Sequence, residues 1–351
     1  MSHAAGPRPS EFPEDPWDAP STPDPDRLDL GPLAVAVRRS LNGDHAGEVG
    51  TMLPPLVDHH VHLMIVGADA LADSAIAGLV DLGAPLDLVA ARLHRDGLPR
   101  ADFAGTFLTA RGGYPVGRPW APAGCARELD PERGDGRSAL PSAVETAVSE
   151  QQAFGASVVK VALNADVGPV FDRGTLDAIV AAAHGRGMPV VAHVEGDGMT
   201  RLAVEAGVDV LAHTPFTEPV DDLLIDRAVA IGQRWISTLF VTGYGTATPD
   251  SDRALDNLRR FRDAGGSVLY GTDLGNGDQP LGVNPAELAL LAAAGLGAPE
   301  LIAAITDPWP RPDRAEGIAT FVAGPPPATL DELPEWLATA CVVPTEDLEA
   351  L

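Results

Sequence analysis

Residues 189–216 read PVVAHVEGDGMTRLAVEAGVDVLAHTPF. A β-branched run from Pro189 to His193 ends on histidine, a segment of helical period follows from Gly198 to Ala206, and Gly207 closes it. A second β-rich run, Val208 to His213, then ends on histidine again. Strand, helix and strand in this order are the signature of a parallel βα repeat, and a glycine just past the helix is a usual helix stop.

The same grammar extends in both directions. Runs of strand character lie at Pro55 to His62, Ala77 to Leu82, Phe103 to Thr109, Ser157 to Leu163, Trp235 to Leu239 and Ser267 to Thr272. Together with the two above they make eight. Helical segments fall between them at Pro85 to Arg95, Ser142 to Phe154, Leu176 to Gly185, Pro219 to Ile231, Ser251 to Ala264 and Pro285 to Ala294. Eight such repeats predict an α/β chain folded as a (β/α)8 TIM barrel over residues 55–306, with long loops after strands on its active face. Residues 1–28, dense in Pro and Asp with few apolar side chains, read as a disordered tail because they cannot bury enough surface to offset their ordering entropy. Residues 29–54 read as a short lead-in and 307–351 as a small C-terminal appendage.

Composition narrows the function classes. A formal net charge of −26 argues against nucleic acid or an anionic membrane as partner, since both demand a basic footprint. Cys125 and Cys341 lie far apart and match no metal-knuckle spacing, which fits a reducing compartment. With no basic-then-apolar leader and no long apolar run, the expectation is a soluble cytoplasmic protein.

Chemistry-bearing residues sit at strand ends. Alternation along Asp58-His59-His60-Val61-His62 turns His60 and His62 to one side and His59 to the other, while His193, His213 and Asp273 close later strands. Lys160 is the single lysine among 24 basic residues, set in the apolar run Ser157-Val158-Val159-Lys160-Val161-Ala162-Leu163. Arginine would serve equally as a fixed cation; only a buried amine can lose its proton and become a nucleophile. Six such residues on five strands of one barrel point to a metal site. His45, His94 and His184 fall in loops or helices and are set aside.

These segments resemble the amidohydrolase superfamily, in its imidazolonepropionase-like and Xaa-Pro dipeptidase-like branch. LPPLVDHHVHL is similar to the PGLxDxHxH signature with Pro55 in place of glycine, and VVKVAL, HVEG, AHTPF and GTDLG are similar to the strand-four, -five, -six and -eight motifs. The likeness runs from about Leu53 to Thr306. It implies that His60, His62, Lys160 and Asp273 ligate one divalent ion and Lys160, His193 and His213 a second, most naturally zinc, with Lys160 N-carboxylated by CO2 and bridging the pair. A hydroxide held between two ions would attack the substrate carbonyl, with Asp273 as the catalytic residue that moves the proton. Asp58 and Glu195 are either supports of ligand histidines or ordinary turn and surface carboxylates. Relatives carry a flanking β-sandwich, which the short lead-in here predicts to be rudimentary or missing.

The expected function is hydrolysis of an amide-type C–N bond in a small molecule: a dipeptide, N-acyl amino acid or cyclic amide. Ester, lactone or phosphotriester hydrolysis on the same ligands, and a catalytically silent barrel acting as a binding protein, are the alternatives. The loop Thr109 to Trp120 offers Arg111, Arg118, Tyr114 and Trp120. Arg111 and Tyr114 are the candidate substrate residues, suited to a carboxylate and an apolar group.

Overall fold

The computed structural model describes residues 26–72, 74–92, 97–130, 139–312 and 316–351. Most of the expected tail, and His94, lie outside the described residues. In chain order the strands are β1 (Val35–Arg39), β2 (Val49–Leu53), β3 (Val57–Val61), β4 (Gly78–Asp81), β5 (Arg100–Phe103), β6 (Phe107–Ala110), β7 (Ala126–Leu129) and β8 (Val159–Asn164). There follow β9 (Val190–Glu195), β10 (Val210–Leu211), β11 (Arg234–Ile236), β12 (Ser267–Leu269), β13 (Ile318–Ala323), β14 (Cys341–Pro344) and β15 (Leu348–Ala350).

Two parallel sheets carry the βα region: β12-β11-β10-β9-β8-β6-β7 and β3-β4-β5. The single eight-stranded ladder expected from sequence is divided between them. The run Phe103 to Thr109 splits into β5 and β6 at Ala104-Gly105-Thr106, where Gly105 has φ +76° and a Cβ would lie 2.3 Å from Leu86 Cδ2. At the other margin, His59 N donates to Tyr270 O (3.1 Å), Leu274 N to His60 O (3.2 Å) and His62 N to Leu274 O (2.8 Å). Ser157 N to Phe103 O (3.0 Å) links the sheets on the far side. Val80 from one sheet packs with Val158, Val191, Val210, Ile236 and Leu269 from the other in one buried cluster. The two sheets therefore share an interior.

Helices follow the strands and bury one face against them. Asp172 starts the helix Arg173–His184 by accepting from Thr175 N (2.7 Å), and Asp221 starts Asp222–Ala230 by accepting from Leu224 N (2.9 Å). Such caps satisfy N–H groups that lack intrahelical partners. Gly207, at φ +77°, ends Met199–Ala206, a conformation that favours glycine. A helix at Ala298–Thr306, apolar on several sides and largely buried, was not anticipated; without an alternating polar face its period is hard to see.

The flank carries a small sheet of its own. The lead-in and the C-terminal segment form one antiparallel sheet, β14-β13-β2-β1-β15, with β2 pairing β1 on one side and β13 on the other. Sequence reading treated these segments as separate because the pairing joins residues about 270 positions apart, such as Leu53 with Thr320. The long segment after β6 also contains β7, which pairs in parallel with β6.

Candidate metal centre

Strand parity builds the site. Val158 and Val191 lie in the interior cluster, so Lys160 and His193, two residues further along their strands, point to the same interior one layer higher. His60 and His62 come from β3 and its end, and His213 follows β10. Asp273 lies four residues beyond β12. All six line one pocket of about 490 Å³. His60 and His62 Nε2 stand 3.3 and 3.2 Å from Asp273 Oδ1. The His213 ring centre lies 4.7 Å from that of His60, tilted by 46°, and 5.0 Å from that of His193, edge-on at 87°.

Ring orientation shows what these groups face. His60 Nδ1 lies 2.8 Å from Ala212 O, and His62 Nδ1 3.3 Å from Gly83 O. A carbonyl only accepts, so Nδ1 carries the proton and Nε2 of the neutral ring is a bare lone pair. Burial holds His60 well below the usual imidazole range, which keeps it neutral. The bare Nε2 lone pair of His60 thus faces a carboxylate oxygen of Asp273, an arrangement that a cation relieves. His60 Nε2, Asp273 Oδ1 and Lys160 Nζ are all buried without a hydrogen-bond partner. Burial pushes the Lys160 ammonium down to about 7, with Asp273 and Asp81 opposing, and takes His213 down to about 3.

The surroundings fix these side chains. His193 Nε2 faces Glu195 Oε1 at 3.2 Å, so the carboxylate claims the Nε2 proton and leaves Nδ1 as the acceptor, while Asn164 Nδ2 donates to Glu195 Oε2 at 2.5 Å. Burial alone would raise Glu195, but His193 outweighs it and holds the carboxyl at about 2. His213 Nδ1 meets Thr238 Oγ1 at 2.9 Å. Asp58 touches no ligand ring; it accepts from His60 N (3.0 Å), Thr272 N (3.0 Å) and Thr272 Oγ1 (2.6 Å). Asp273 itself has φ +56°, a strained setting for a residue with a Cβ, and Asn276 Nδ2 donates to its Oδ2 at 2.9 Å. His59 faces outward, its ring 2.7 Å from Tyr270 O and 3.0 Å from Asp307 O.

Asn164 and Asn276 were not singled out from sequence. Asn164 shares the parity of Lys160 at the end of β8, a readable signal; Asn276 lies in a turn, where no period applies. In the loop after β6, Tyr114 lines the pocket and stacks on His193 at 4.8 Å and 17°. Arg111 does not line it: its side chain is 76% exposed and pairs with Asp130 at 3.3 Å. The nearer cation is Arg118, whose guanidinium lies 5.9 Å from the Tyr114 ring centre.

No family model matches the chain. Uncharacterized proteins of Mycobacterium tuberculosis and Mycobacterium bovis are each 28% identical over 280 residues, covering 71% of this chain and 69% of theirs. Among solved structures, a Xaa-Pro dipeptidase with methionine bound in its active site has a TM-score of 0.67 at 20% identity, over 86% of this chain and 87% of its own. A. niger ochratoxinase has 0.65 at 18%, over 85% and 83%. A prolidase complexed with N-methylphosphonate-L-proline has 0.61 at 19%, over 85% and 86%. At 20% identity or less these likenesses show a shared fold: the architecture of this chain is similar to that of these solved enzymes.

Proposed function

We propose that the chain is a metal-dependent hydrolase that cleaves an amide-type C–N bond in a small molecule. The observation that carries this reading is the convergence of His60 Nε2, His62 Nε2 and Asp273 Oδ1 on one point beside the unpartnered amine of Lys160. The two parallel sheets are taken as walls of one (β/α)8 barrel, a view supported by the hydrogen bonds that cross both margins.

The donor set fits a pair of divalent ions. His60, His62 and Asp273 would hold one, His193 and His213 the other, and Lys160 both, once its neutral amine has added to CO2 and released a proton to give an anionic carbamate. Zinc suits imidazole and carboxylate donors. When bound, such a pair supplies Lewis acidity to the carbonyl and a water acidic enough to react near neutral pH. Asp273 takes the proton of that water on its carboxylate and passes it to the leaving amine nitrogen. Asn276 holds the Oδ2 oxygen in place for that transfer. Glu195 fixes the His193 ring, and Asn164 holds Glu195. Tyr114 covers His193, and Arg118 beside it suits a substrate carboxylate. Dipeptides and N-acyl amino acids combine the two features. The relatives named for peptide and ochratoxin cleavage support the amide class.

The test is elemental analysis of protein grown with zinc and 13C-bicarbonate, beside Lys160→Arg. About two ions per chain and one labelled carbamate carbon in the parent, with about one ion or fewer and no label in the variant, are expected. Metal-free parent protein that hydrolyses no N-acyl amino acid or dipeptide overturns the reading.

A further inference from the structure

Against the ligand pocket, and sharing His62, Tyr114, Asp273 and Asn276 with it, lies a second cavity of about 690 Å³. Its remaining lining is Ile65, Trp120 and the glycines of the Gly275-Asn276-Gly277 turn. Among the described residues no lysine or arginine lines it, and the two largest groups found only here are apolar. Ile65 is 43% and Trp120 36% exposed.

Trp120 is braced. Its ring lies 5.8 Å from Tyr114, 6.3 Å from His62 and 6.4 Å from Phe107, tilted between 41° and 67° to each. Three aromatic neighbours fix its orientation while over a third of it stays uncovered, so a ring that docks there meets a preformed surface. The Gly275-Asn276-Gly277 turn lines the same cavity. Gly275 and Gly277 have φ +114° and +76°. A Cβ on Gly275 would stand 3.2 Å from His62 Cβ and 3.3 Å from Ile65 Cβ, and one on Gly277 would stand 2.4 Å from Tyr244 Cε1. The positive φ favours glycine at both positions, and the result is a floor next to Asp273 on which Asn276 carries the one side chain of the turn.

The geometry points to a subsite for a planar apolar ring of the substrate, stacked on Trp120 above the Gly275–Gly277 turn. This rests on the hydrolase reading and narrows its substrates to amides that carry an aromatic group within reach of the scissile bond. An open aliphatic chain would leave Trp120 and Ile65 partly wet, whereas a ring covers both.

Binding without turnover tests it. Calorimetric titration of the purified protein with 3-phenylpropionate and with butyrate compares two acids that share a carboxylate and differ by the ring, in the parent, Trp120→Ala and Trp120→Phe. The aromatic acid is expected to bind the parent at least about tenfold tighter. The ratio should fall to about threefold or less in Trp120→Ala and recover in Trp120→Phe. Equal affinities in the parent, or a ratio that Trp120→Ala leaves unchanged, overturn the subsite. Metal content measured on each sample separates the two readings. A metal-loaded parent that cleaves N-acyl amino acids but shows no preference for the ring refutes the subsite and leaves the hydrolase. A ring preference in a parent that holds no metal and cleaves nothing refutes the hydrolase.

Discussion

Thr272 gives Asp58 two hydrogen bonds, from Oγ1 to Oδ2 at 2.6 Å and from the backbone N to Oδ1 at 3.0 Å, although 214 residues separate them. Asp58 Oδ1 also accepts from His60 N. One buried carboxyl therefore ties the strand that carries two ligand histidines to the strained turn that carries Asp273.

Asp58→Ala removes the acceptor for three buried donors and is expected to cost about 2–4 kcal/mol, with weaker zinc retention. Asp58→Asn keeps an oxygen for both backbone N–H groups, and its amide can donate to the Thr272 hydroxyl, so its cost should be about 1 kcal/mol. Urea unfolding of both variants checks the order; an equal loss in the two would show that hydrogen bonding is not what Asp58 supplies.

Lys160 is 0% exposed and its Nζ has no hydrogen-bond partner among the described residues. In protein stripped of metal and CO2, Lys160→Met is expected to raise stability by about 1–3 kcal/mol, because an apolar side chain of similar volume removes an unsatisfied buried amine. The same variant should lose metal binding. Gain of stability with loss of the ions is the mark of a residue kept for chemistry. A destabilised Lys160→Met would mean that the amine has a structural partner.

Glu195→Gln keeps the size of the side chain but removes the charge that holds His193 Nε2–H. Zinc affinity should fall about 10–100-fold with little change in the unfolding of the metal-free protein. Competition against a chromophoric chelator measures it, and unaltered affinity would leave Glu195 as a surface carboxylate.

Glu287 is buried, accepts from Leu239 N (2.9 Å) and Phe240 N (2.6 Å), and holds the segment that leads to Val241 and Thr242 on the pocket wall. Burial pushes its carboxyl up from 4.5 to about 7. The folded chain then keeps a proton that the unfolded chain has released. The stability this group contributes is full below the unfolded value and is lost as pH rises through about 7, by at most ~1.4 kcal/mol per pH unit. In thermal unfolding between about pH 5 and about pH 8, the parent Tm should decline relative to that of Glu287→Gln. Parallel profiles would mean that the group ionises alike in both states.

The candidate centre was legible because its information is local. A strand alternates every second residue, so His60, His62, Lys160 and His193 announce which side they face as soon as the strands are drawn, and a lone lysine among arginines marks itself. Seven of the eight runs and most helices were readable for the same reason, whereas Phe103 to Thr109 conceals the break between β5 and β6. Arg111 shows where this ends. Nothing in its neighbourhood tells it from Arg118, and only the path of the loop turns Arg111 to Asp130 and leaves Arg118 over Tyr114.

The sequence by itself determined the repeat, the strand ends and the donor types, since period and composition depend on neighbours along the chain. Only the tertiary structure decided which ring nitrogen of each histidine faces the pocket, that the two chain ends form one five-stranded sheet, and that Asp58 serves a distant turn instead of a ligand ring. Each of these depends on which carbonyl, strand edge or hydroxyl a group meets across the fold, and those partners are set by packing between residues far apart in the chain.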